Sequence, residues 1–159
     1  MHITDQYTQL SNKYCLENIK FLVANDLNFC ILCDLESVGF EPLLPREIFA
    51  KFGPFVLFVL AGYTLESLEV FGDKITFEAG FGSDNIASVV AVRLEGIIQI
   101  AIKDKKGDDA VLFHRCDIAQ IFGNPIKEAM QDSIEAILSN PRNQETIKTL
   151  KKNEKNKNN

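Results

Sequence analysis

Apolar positions recur at three and four residues from Leu10 through Tyr14, Cys15, Ile19, Leu22 and Val23, the spacing that places side chains on one face of a helix. This predicts an amphipathic helix to about Asp26, preceded by a polar, frayed segment over 1–9. Asn28 to Leu35 is a short apolar run rich in strand formers, and Gly39 to Pro45 reads as loop. Lys74 to Phe81 alternates Ile75, Phe77, Ala79 and Phe81 against Lys74, Thr76, Glu78 and Gly80, the period of a half-buried strand. Ala87–Val92, Ile97–Lys103 and Ala110–His114 are further strand-forming runs, with a charged hairpin turn over Asp104–Asp109. These strands predict an antiparallel meander. Asn124 before Pro125 is a helix N-cap, and Ile126, Met130, Ile134 and Ile137 share one face of a helix over about 125–138.

One stretch admits two readings. Phe55-Val-Leu-Phe-Val-Leu60 suits a central strand, yet Pro54 also suits the first position of a helix, and a helix over 54–69 would be apolar nearly all round. The fold class is α+β in either case: an N-terminal helix, an antiparallel β-sheet core and a C-terminal helix. The expected organisation is a flexible N-terminus over 1–9, one core domain over 10–116, a helical appendage over 117–141 and a basic, Asn-rich tail over 142–159.

The chain has 159 residues, 46% of them apolar, enough for one core and too few for two. No apolar run reaches the roughly 18 residues of a membrane span. The net charge of −5 divides unevenly: residues 142–159 hold six basic and two acidic side chains, so the remainder carries −9. An acidic body does not attract phosphate backbones, and neither nucleic acid nor membrane is an expected partner. The first residues lack the basic and apolar regions of a secretory signal, which sets a cytoplasmic expectation in which Cys15, Cys30, Cys33 and Cys116 are thiols.

Candidate chemistry is thin. Cys30 and Cys33 have the spacing of a redox motif, but within a strand an offset of three points them to opposite faces. Neither pairs with Cys15, Cys116 or His114 at zinc-ligand spacing, so no metal site is expected. His114 has no evident nucleophile partner, and Ser67, Ser83 and Ser88 lie outside any Gly-x-Ser-x-Gly elbow. Phe81-Gly82-Ser83-Asp84-Asn85 reads as a tight turn with acidic Asp84, unsuited to phosphate but exposed enough for ligand contact. No catalytic residue and no cofactor is expected.

The run Ser67-Leu-Glu-Val-Phe-Gly-Asp-Lys-Ile-Thr-Phe-Glu-Ala-Gly-Phe-Gly82 resembles the stringent starvation protein B family, most specifically over Leu68–Gly82 and weakly over Tyr14–Phe113. That family is a dimeric adaptor that holds the degradation tag of stalled translation products and tethers it to the ClpXP protease. The resemblance implies a non-enzymatic homodimer binding an extended peptide near Phe77, Phe81, Gly82, Ser83, Val92 and Arg93, with Tyr14, Ile19 and Leu22 of the first helix at the two-fold interface. The helical reading of 54–69 instead looks like a hot-dog fold, implying a dimer that binds an acyl-CoA-type ligand without competent catalytic residues.

Overall fold

The computed structural model describes residues 1–140; the basic tail over 142–159 lies outside the described residues. Helix α1 spans Ile3–Ala24, beginning well before Leu10 because His2 caps it: its Nδ1 accepts the Thr4 amide at 3.1 Å. The polar first turn is anchored from outside as well. Thr4 is buried and its hydroxyl donates to the Gly123 carbonyl, and Tyr7 packs on Phe122 with ring centroids 4.9 Å apart. The segment expected to be flexible is thus mostly helix held by tertiary contacts.

Eight strands follow: β1 (Phe29–Asp34), β2 (Val38–Glu41), β3 (Phe55–Leu60), β4 (Glu69–Phe71), β5 (Lys74–Phe81), β6 (Ile86–Arg93), β7 (Ile97–Lys103) and β8 (Asp109–His114). Short helices α2 (Arg46–Phe49), α3 (Gly62–Glu66) and α4 (Ile118–Phe122) precede α5 (Pro125–Ser139). The strands divide into two antiparallel four-stranded sheets, ordered β3-β1-β7-β8 and β2-β6-β5-β4. The predicted meander is therefore split: β4-β5-β6 and β7-β8 are hairpin-connected, but the chain changes sheet between β6 and β7.

Residues 55–60 are strand, paired in unbroken register with β1 from Phe29↔Leu60 to Asp34↔Phe55. This removes the helix over 54–69 and with it the hot-dog alternative. The physical reason lies in alternation: Val56, Phe58 and Leu60 point into the core while Phe55, Leu57 and Val59 point out, so a run that is apolar on both faces still obeys the strand period. The Gly39–Pro45 loop is likewise shorter than predicted, since Val38–Glu41 pairs with Val89–Val92 of β6.

The inner faces of both sheets and the buried side of α1 form one cluster. Phe58 of the first sheet meets Phe77 of the second edge-to-face with centroids 5.3 Å apart, and Cys15, Ile19 and Leu22 of α1 are fully buried in the same core. Cys33 is buried on the inner face and Cys30 half-buried on the outer one, as the offset of three requires. α5 starts where predicted, with the Asn124 side chain accepting the Ile126 and Lys127 amides, and it buries none of its residues. α4 is more than appendage, since Ile118 is buried and the helix packs on α1.

Two 3-10 corners carry the chain between sheets, Leu35–Ser37 between β1 and β2 and Leu94–Gly96 between β6 and β7. They stack without room for another atom: a Cβ on Gly96 would sit 2.0 Å from Ser37 Cβ. Arg115 staples the second corner, its Nε donating to the Ile97 carbonyl and Nη2 to that of Leu94, both at 2.9 Å. Gly96→Ala is expected to cost about 2 kcal/mol by overpacking, read as a lowered urea midpoint, and adding Ser37→Gly should recover part of the loss.

Candidate functional site

The segment after β2 builds an aromatic groove. Pro45 fixes the start of α2, its carbonyl accepting the Ile48 and Phe49 amides at 3.0 Å, and the single turn sets Ile48, Phe49 and Phe52 over one end of the second sheet. There Phe52 stacks on Phe40 of β2 at 5.8 Å, and Phe81, at the end of β5, meets Phe40 edge-on at 5.6 Å. Phe49 closes the group, with its ring 6.0 Å from Phe52 and 6.2 Å from Phe40.

Gly82 lies under Ile48. Its φ of +73° already favours glycine, and a Cβ there would come within 2.9 Å of Ile48 Cδ1. Asn85, also at positive φ, completes the turn with its amide bonded to the Gly82 carbonyl, and Asn85 lies close over Gly80, where a Cβ would strike its side-chain oxygen.

Beside this aromatic group runs an open groove of about 500 Å³ between Asp34, Leu35 and Glu36 on one wall and Phe49, Phe52, Gly53 and Pro54 on the other. The Leu35 amide donates to the Pro54 carbonyl at 2.9 Å and ties the walls together. Asp34 accepts the Glu36 amide at 3.1 Å, so the rim carries two carboxylates and its walls no cation. Asp34 and Glu36 also line a polar pocket of about 390 Å³ that contains Arg93, Glu95, Arg115 and Asp117.

Of the residues expected to contact ligand, Phe81 and Gly82 belong to the aromatic group, with Ser83 exposed in the turn beside them. Phe77 and Val92 are buried in the sandwich and present nothing to solvent, because both sit on the inner face of the second sheet. Arg93 lies at the opposite end of β6 from the turn, where it pairs with Glu95 at 3.3 Å. A peptide lying beside Val92 is ruled out too, since over Val89–Val92 β6 is internal, with β2 on one side and β5 on the other. Ile19 and Leu22 are buried in the chain's own core and are closed to a second copy; of the three interface residues only Tyr14 is exposed, against Phe113.

Ile48, Phe49 and Phe52 were not singled out in sequence. Their signal is a Pro45 start followed by apolar residues at one helical turn, together with four of the twelve phenylalanines falling between positions 40 and 55.

Among the described residues no group of three or more His, Cys, Asp or Glu is arranged to hold a metal, and no helix is long and apolar enough to cross a membrane. A scan against protein-family models matches none, and no curated protein is found similar to the chain.

The thiols divide by environment. Burial pushes Cys15 up to about 11 against the opposing pull of the neighbouring Arg115 guanidinium, and burial raises Cys33 further, with Cys15 and Asp34 acting in the same direction. Both stay protonated at pH 8. Iodoacetamide at that pH is therefore expected to label Cys30 and Cys116 of the native chain and to reach Cys15 and Cys33 only after unfolding, as read by peptide mass spectrometry.

Proposed function

We propose that this protein is a non-enzymatic, adaptor-like homodimer that holds an extended peptide for a protease or another partner protein. The observation that carries the reading is the open groove walled by Phe49, Phe52 and Pro54 under an acidic rim. Its aromatic wall offers contact to apolar side chains, and Asp34 and Glu36 favour a segment without acidic residues at that point.

Main-chain recognition has a separate place, on the β4 side of the second sheet. β4 pairs only with Lys74–Thr76, so the later half of β5 has a strand neighbour on one side only. The Glu78 amide on the open side is taken by the Ser67 hydroxyl at 2.8 Å, which leaves the edge at Gly80 for an added strand, close to Phe81.

Calorimetric titration with an alanine-rich, apolar degradation-tag peptide is expected to give 1:1 binding per chain, and the same peptide in scrambled order should bind more weakly. Phe49 is 46% exposed, so Phe49→Ala should weaken binding at least tenfold, about 1.4 kcal/mol, while its contacts with Phe40 and Phe52 make some loss of melting temperature expected and a melt verifies that the variant is folded at the titration temperature. Absence of heat with the wild-type chain at 100-fold peptide excess would sink the peptide reading.

A further inference from the structure

An antiparallel sheet has two edges, and each edge strand presents unpaired amides and carbonyls that invite another strand. Among the described residues four strands end the sheets, β3 and β8 of the first and β2 and β4 of the second, while the half of β5 beyond β4 has its Glu78 amide taken by Ser67. Three carry protection. β8 is irregular against β7, with a register shift after Ile100, and bears charged Asp109 at its start. β2 has four residues and runs into Glu41-Pro42, and β4 has three.

β3 carries none of these devices. It has six residues, a regular register and neither charge nor proline within Phe55–Leu60. Its outward side chains are exposed by 55% at Phe55, 60% at Leu57 and 59% at Val59. The register continues this apolar row inward, since Val59 lies beside Cys30 and Leu57 beside Leu32 on the outer face of β1.

We infer that β3 is the seam of a homodimer, pairing antiparallel with β3 of a second copy across a two-fold axis at Leu57, so that the two first sheets become one sheet of eight strands. The occupant follows from symmetry and charge. A two-fold pairing of this strand with itself sets Leu57 against the partner copy's Leu57, Phe55 against its Val59 and Val56 against its Phe58, so every cross-strand pair is apolar. The contact also closes, consuming the open edge of both copies where a head-to-tail contact would propagate. Residues 1–141 carry −9 and repel their own kind, so a strand without any charge is where two such bodies approach at least electrostatic cost.

The inference gives the homodimer of the proposed function a seam away from α1, and it does not depend on the peptide. Sedimentation equilibrium of the full chain at about 50 μM should give twice the 17.9 kDa chain mass. Because position 55 opposes position 59 of the other copy, Phe55→Lys with Val59→Lys should produce monomer, whereas Phe55→Lys with Val59→Glu sets opposite charges across the seam and should remain dimeric. Both pairs of substitutions fall on exposed positions, and circular dichroism melts verify that each variant is folded. A monomeric wild type, a dimeric double-lysine variant, or a folded Lys/Glu variant as monomeric as the double lysine overturns the seam. Tag-peptide heat measured on the same samples reports separately on the groove.

Discussion

The two sheets are held in one relation by the pair of corners where the chain leaves one and enters the other. Leu35–Ser37 and Leu94–Gly96 lie back to back, so close that Gly96 has no space for a side chain beside Ser37. This contact aligns β1 with β7 in the first sheet and β2 with β6 in the second, because each corner feeds one strand of each pair. The Arg115 fork on the carbonyls of Leu94 and Ile97 secures the same point from the residue after β8, and α1 lies against the second corner. Core burial supplies most of the stabilisation, but it is non-directional. The corner supplies the direction.

From that point the geometry of the groove follows. The first corner is also one wall, through Leu35 and Glu36, and the Leu35 amide reaches the Pro54 carbonyl on the other. The groove width is thus set by a backbone hydrogen bond. The aromatic group behind it rests on β2 and β5 of the second sheet, so site and sandwich share the same fixed frame.

Much of this order was legible in the chain. Alternation at Ile75, Phe77, Ala79 and Phe81, the Asp104–Asp109 hairpin and the Asn124-Pro125 cap are local signals, and each element lies within a residue or two of where they put it. The ambiguity at 55–60 had a physical source: one face of β3 is core and the other is an open apolar row, so the polar half of the strand pattern was missing. The start of α1 was lost because Thr4 and Tyr7 are fixed by Gly123 and Phe122, contacts that no local pattern encodes. Phe81 and Gly82 could be picked from their turn. Ile48, Phe49 and Phe52 act through a four-residue helix, too short for periodicity to register, and Ile19 and Leu22 showed only that they were apolar, not which partner they would meet.

Pro54 sits at a junction whose importance lies in coupling. It is a wall of the aromatic groove and the residue immediately before β3, and its carbonyl is anchored to Leu35. A molecule pressed against the groove and a strand laid along β3 would therefore grip the same few peptide units from two directions. Whatever ordering the first contact imposes on that segment is ordering the second no longer has to impose, and the favour is returned in equal measure. On the proposed function and the proposed seam, cargo and assembly would meet on one short piece of backbone, and the occupancy of each would be thermodynamically tied to the other.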